Sequence, residues 1–171
     1  STFTAGSSAT DVNGPLTVLG TFVQGTNTLN VSGNIRIAAG ATFTKSANSS
    51  LFILDGDLTY EDEVGVNVGV VQIGTSPDTT QLSGSLIADK LTIGTGDILT
   101  LSGFNLFVGT GGLYLHGTLN AADYNSNSST LTVSGSWLAT GTGDFIPGTS
   151  TVLFDGAAGS HSIVASGAFF N

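Results

Sequence analysis

The chain has 171 residues, 40% of them hydrophobic, with no Cys and no Met. Only 9% are charged, against about a quarter in an average globular domain, and the net charge is −9, with Arg36, Lys45 and Lys90 the only Lys or Arg residues. That balance argues against a nucleic-acid-binding patch and against attraction to anionic membranes; no apolar run is long enough to insert across a bilayer, and without Cys no disulfide staples the fold.

The polar remainder is Ser, Thr, Asn and Gly, a mix that favours strands and tight turns over helices. One pattern recurs along it: apolar, any, apolar, any, Gly, any, apolar. It runs from Leu16 through Val18 and Gly20 to Phe22, then from Leu29 through Gly33 to Ile35, and from Phe52 through Gly56 to Leu58. Residues 61–77 are the longest departure. Strands are predicted over 66–73, followed by a protruding turn at Ser76, Pro77 and Asp78. Looser copies start at Thr80 and Leu99, full copies at Leu113 and Leu131, and a last loose copy at Val152. Loop chemistry fills 125–129 and 141–143.

The copies start about 19 residues apart on average, close to one coil of a stacked repeat fold. Leu16, Val18, Leu29, Val31, Leu113, Leu115, Leu131 and Val133 are placed inward, and Thr17, Thr92, Thr100 and Thr132 outward. The Gly of each copy is assigned to a corner, for its backbone freedom. The expectation is all-β: a right-handed parallel β-solenoid of about eight or nine coils, one domain over 1–171. At ~4.8 Å per coil the rod is on the order of 40 Å long. An immunoglobulin-like sandwich is the structural alternative, since short strands with frequent turns also fit it.

The two ends resemble each other. Phe3-Thr-Ala-Gly6 leads to Val12-Asn-Gly14, and Phe145-Ile-Pro-Gly148 leads to Phe154-Asp-Gly156. Neither end carries an obvious polar cap, and uncapped strand edges are templates for pairing. Phe3, Val12, Phe154, Phe169 and Phe170 are therefore the candidate self-assembly residues. The chain is either a segment of a longer repeat protein or a filament subunit.

Four phrases carry a family resemblance: Val-Gln-Ile-Gly-Thr-Ser-Pro-Asp-Thr-Thr at 71–80, Asp-Lys-Leu-Thr-Ile-Gly-Thr-Gly-Asp at 89–97, Leu-Ser-Gly-Phe-Asn-Leu-Phe-Val-Gly at 101–109, and Gly-Thr-Ser-Thr-Val-Leu-Phe-Asp-Gly at 148–156. The region from Val71 onward resembles the repeats of large bacterial cell-surface proteins of the filamentous-haemagglutinin and autotransporter-passenger type. The resemblance implies export, a structural or adhesive role and no cofactor. It brings no catalytic residues.

Candidate chemistry is sparse. His116 alternates with Leu115 and is placed at the surface; His161 lies in another repeat. A triad of Ser160, His161 and Asp155 has no supporting nucleophile-elbow motif. Asp55 and Asp57 flank Gly56, and Glu61, Asp62 and Glu63 follow. These five carboxylates are the candidate Ca²⁺ ligands, or a solvated acidic loop, or, with Lys45, the acid and base of a polysaccharide lyase or hydrolase. Tyr60, Tyr114 and Tyr124 are placed outward and Trp137 in the core. A Thr array that binds ice would need a strict Thr-x-Thr row, and the outward neighbours are mixed. Asn30, Asn48 and Asn127 match the N-glycosylation pattern, of which Asn48 and Asn127 fall in predicted loops.

The function expected from these features is structural and non-enzymatic: an extracellular building block of a surface fibre, sheath or layer that self-assembles into a homopolymer, or stacks on neighbouring solenoid repeats, through its terminal rungs. The alternative is an adhesin stalk or passenger that binds glycans or host surfaces. A polysaccharide lyase or hydrolase is the third reading.

Overall fold

The computed structural model describes residues 1–6, 8–45, 50–75, 77–122, 127–157 and 161–165. Among them there is no helix, and the paired strands all run parallel. This sets the sandwich aside, because antiparallel hairpins build that fold.

The chain winds through three faces. β1 (Thr2–Thr4) lies on the third face, ahead of the first full turn. β2 (Thr10–Val12), β3 (Leu16–Val18) and β4 (Thr21–Val23) make that turn; β5 (Leu29–Val31), β6 (Ile35–Ile37) and β7 (Thr42–Thr44) make the second. The third holds β8 (Leu51–Leu54), β9 (Leu58–Asp62) and a single bridge residue, Asn67. The fourth holds β10 (Val70–Ile73), β11 (Thr79–Leu82) and the first half of β12 (Leu86–Ile93). β12 rounds a corner through an irregularity between Ala88 and Lys90. Its second half opens the fifth turn, which continues through β13 (Ile98–Thr100) into β14 (Leu106–Leu115). β14 rounds the same corner, and β15 (Thr118–Asn120) and β16 (Thr130–Val133) complete the sixth turn. β17 (Trp137–Ala139), β18 (Asp144–Ile146) and β19 (Thr151–Phe154) make the seventh, and β20 (Ile163–Ala165) pairs above β17.

The result is a parallel β-solenoid of about 7 turns, fewer than the eight or nine expected. The repeat pattern overcounts because its copies are not equivalent. Gly33, Gly56 and Gly117 follow first-face strands, Gly20, Gly84 and Gly103 follow second-face strands, and Gly135 and Gly156 follow third-face strands. The pattern marks any strand that meets a corner, so one turn can carry two copies.

The glycines act mostly by close approach. A Cβ on Gly33 would lie 2.5 Å from the Gly14 carbonyl carbon of the turn below, although Gly33 has no left-handed φ. Gly56 does use its backbone freedom, at φ 112°.

In-register stacking builds the core. On the first face Leu29, Phe52, Val71, Leu91, Leu113 and Trp137 form one inward column, and Val31, Leu54, Ile73, Ile93, Leu115 and Ala139 another. All are buried. Side chains at one column position touch their counterparts above and below, so each turn completes its neighbour's core. Thr17, Thr92, Thr100 and Thr132 face outward as expected.

Two expectations need correction. Tyr60 is fully buried, in the column Ile35–Tyr60–Leu82. The period-2 alternation from inward Leu58 carries both Tyr60 and Asp62 inside. The strand predicted over 66–73 is broken: Gly69 takes φ 92° and turns the corner between bridge residue Asn67 and β10.

Candidate functional site

Among the described residues, the open first end of the core forms a concavity. Its volume is about 510 Å³, and Phe3, Val12, Leu16, Val18 and Phe22 supply its apolar lining. Each arrives there by the same alternation that fills the core. Val12 tops the column that continues through Val31, and Leu16 tops the column of Ile35 and Tyr60. Both are only half-buried, with no turn of the described residues beyond them.

An aromatic ladder ends at this opening. Phe3 stacks on Phe22 with centroids 5.4 Å apart, Phe22 on Phe43 at 5.2 Å, and Phe43 on Phe52 at 5.6 Å. Phe22, Phe43 and Phe52 are buried, whereas Phe3 keeps 56% of its surface exposed.

The far end is apolar too. Phe154 (38% exposed) packs edge-on against buried Trp137, 6.2 Å between centroids, and Leu153, Ile163 and Val164 are exposed beside it. Among the described residues, exposed Leu153, Ile146 and Val164 continue the outward rows of Thr132, Asn120 and Leu138 and face the sides of the last turns, whereas Phe154 and Ile163 continue the inward columns of Val133 and Trp137 and are left open by the end. Phe169 and Phe170 lie outside the described residues, as do Tyr124, Ser160, Asn48 and Ser76.

Charge is distributed differently. The Lys and Arg side chains sit in the second to fifth turns, and all are engaged. Arg36 donates to Glu63 at 2.8 Å and lies 3.2 Å from Glu61. Lys45 pairs with Asp89, and Lys90 lies 4.2 Å above the Tyr114 ring. Asp11 is exposed on the first turn, and Asp144 and Asp155 on the last.

The acidic candidates divide into separate groups. Asp55 accepts from the Thr75 hydroxyl at 2.6 Å and from Asn30 at 3.2 Å, and the Thr75 hydrogen bond holds its carboxyl below the usual range. Asp57 accepts the Thr79 N–H at 2.8 Å. Asp62 turns inward and caps three backbone N–H groups, those of Val64, Gly65 and Val66, at 2.8–2.9 Å. Glu63 accepts the Ala39 N–H at 3.0 Å, which together with Arg36 lowers its pKa. Among the described residues no three Asp, Glu, His or Cys side chains converge as metal ligands would.

Nor are the proposed catalytic groups brought together. Asp55 and Asp57 lie at the corner after the first face, whereas Lys45 is bound to Asp89 at the corner before it. Asp155 accepts from Ser134 at 2.7 Å, and His161 Nε2 lies 3.1 Å from the Ala157 carbonyl. His116 faces outward and meets the Thr140 hydroxyl at 3.0 Å.

Two features escaped the sequence reading. Asp97 is buried, its carboxylate lodged where a side chain on Gly74 or Gly94 would stand. Burial, with Asp78 and Asp55 nearby, raises its pKa. The second is a Lys45–Asp89–Asn67 cluster drawn from three turns. No sequence spacing announces either, because turn lengths vary and only stacking aligns the residues. Compared with known families, curated proteins and solved structures, the chain matches none.

Proposed function

We propose that this chain is a non-enzymatic structural protein of the cell exterior, a unit of a surface fibre, sheath or layer in which the last rungs of one copy stack on the first rungs of the next. The observation that carries this reading is the open first end, a concavity of about 510 Å³ floored by buried Phe22 with Phe3 exposed at its rim. The faces suit it. The third face presents β1 at one end and β19 at the other, and the first face presents β2 and β20. Head-to-tail contact would join like faces by main-chain hydrogen bonds. Such a heterologous contact propagates into open filaments. Kinship with bacterial surface solenoids and the extracellular location belong to the same proposal, supported by the low charge and the absence of Cys. The reading needs no cofactor. Sedimentation velocity over a concentration series tests it. The wild type is expected to grow into larger species and Phe3→Asp to stay monomeric; a wild type that is monomeric throughout overturns the reading.

One observation favours the adhesin alternative. The outer side of the third face carries a groove of about 160 Å³ where Ile87, Phe107 and Thr132 line up beside Asn67 and Asp155. An apolar ring rimmed by hydrogen-bonding groups suits a sugar ring. This reading expects a monomer, glycan binding on an array, and loss of that binding in Phe107→Ala.

A further inference from the structure

The third face has a weak seam. Its three-stranded sheet β1–β4–β7 ends at β7, and the next turn contributes to this face only the Asn67–Ile87 bridge. No strand pairing joins β7 to the turn above it among the described residues. Three polar side chains gather beside this seam. Lys45 immediately follows β7, Asn67 is the bridge residue, and Asp89 sits at the irregularity of β12.

Their arrangement is directional. One oxygen of the Asp89 carboxylate accepts from Lys45 Nζ. The other accepts from Asn67 Nδ2 at 2.7 Å. The Asn67 carbonyl oxygen in turn accepts the Gly69 N–H at 2.9 Å. The Lys45 stem lies against Gly69, whose missing Cβ would stand 3.4 Å from it. An amine, a carboxamide with a polarised carbonyl, and a carboxylate bonded to both are therefore assembled in one place.

We propose that Lys45, Asn67 and Asp89 form a self-crosslinking site that joins Lys45 to Asn67 through an isopeptide bond. Asp89 takes a proton from the Lys45 ammonium group. The freed amine attacks the Asn67 carboxamide carbon, and the carbonyl electron pair moves onto the oxygen held by Gly69 N–H, as in an oxyanion hole. Asp89 then passes its proton to the departing nitrogen. The carbon–nitrogen bond of the carboxamide breaks, the attacking nitrogen gives up its extra proton, and ammonium leaves. No oxidant, metal or second enzyme is required. Burial works against the charge on Asp89, but Lys45 and Asn67 outweigh it and hold the carboxyl below the usual range. Asp89 is thus ionised and able to accept a proton, while the pairing that lowers its pKa leaves it a weak base, so the crosslinking is expected to be slow. The product links the second turn to the third across the seam, a covalent staple in a chain that has no Cys.

Intact-mass spectrometry of the purified folded chain tests this, followed by digestion and sequencing of linked peptides. The expected result is a mass one ammonia below the sequence mass, with a linked peptide containing Lys45 and Asn67. Asp89→Ala and Lys45→Arg should each restore the full mass, and circular dichroism shows whether each variant still folds. An unchanged wild-type mass after prolonged incubation overturns the proposal. So does loss of one water with a link from Lys45 to Asp89, which makes Asp89 the electrophile and Asn67 a bystander.

Discussion

Phe3 and Phe22 stack with ring centroids 5.4 Å apart and 23° between planes, yet Phe22 is 5% exposed and Phe3 56%. They are adjacent rungs of one ladder, and only one has a neighbour on both sides. Phe22→Ala should therefore cost about 3–5 kcal/mol, the usual penalty for truncating a buried aromatic. Phe3→Ala should cost less than about 1 kcal/mol in the isolated chain. On the stacking account the order reverses for assembly, with Phe3→Ala suppressing it strongly. Urea unfolding of the dispersed chain, paired with light scattering, reads both.

Asp62 joins the acidic loop to the core. Its carboxylate satisfies three backbone N–H groups in the turn that follows β9. Asp62→Ala removes the acceptor of three N–H groups, two of them on exposed Val64 and Gly65 where water can replace it, and a loss of about 1–2 kcal/mol is expected. Asp62→Asn retains one acceptor oxygen and should lose less. Urea midpoints of both variants check this; equal midpoints for wild type and Asp62→Ala would mean that the cap contributes nothing.

Asp97 gives a pH signature of the opposite sign to most carboxylates. Its folded pKa is raised by burial, with Asp78 and Asp55 adding to the effect. The stability linked to it is complete below the unfolded value of about 3.9. It is lost as the pH rises through the folded value. Asp97→Asn, which keeps an acceptor for the Asp78 N–H, should raise stability at neutral pH. The gain should vanish below pH ~3.9. Asp55 runs the other way: its lowered pKa contributes stability at neutral pH that is lost as the pH falls through its folded value. Thermal melts of wild type, Asp97→Asn and Asp55→Asn across acid and neutral pH separate the two effects.

Gly117 and Gly6 contrast space with crowding. A Cβ on Gly117 would meet the Gly94 carbonyl oxygen of the turn below at 2.2 Å, whereas one on Gly6 meets nothing within 4 Å. Gly117→Ala should cost at least about 1–3 kcal/mol through forced backbone movement, and Gly6→Ala should lie within about 0.5 kcal/mol of wild type. Thermal melts of the two variants decide it.

Much of the fold was legible in the sequence because it depends on alternation. Leu29 and Val31, Leu113 and Leu115, and Leu131 and Val133 fall inward as that alternation dictates, and Trp137 joins them. The turn count was not legible, since Gly20, Gly33 and Gly135 stand at three different corners while sharing one local pattern. Tyr60 was misplaced because parity must be counted from Leu58, two residues earlier. At the first end, Phe3 and Val12 were legible as strand residues, and the structure puts them on the third and first faces. The Lys45–Asp89–Asn67 cluster was not, because only the stacking of three unequal turns brings it together.

Negative-stain electron microscopy of the purified chain across a concentration series tests the stacking of terminal rungs most directly. The account predicts uniform unbranched fibres whose axial repeat is about seven rungs, roughly 34 Å at ~4.8 Å per rung. These should be lost in Phe3→Asp. Dispersed short rods at every concentration would contradict it.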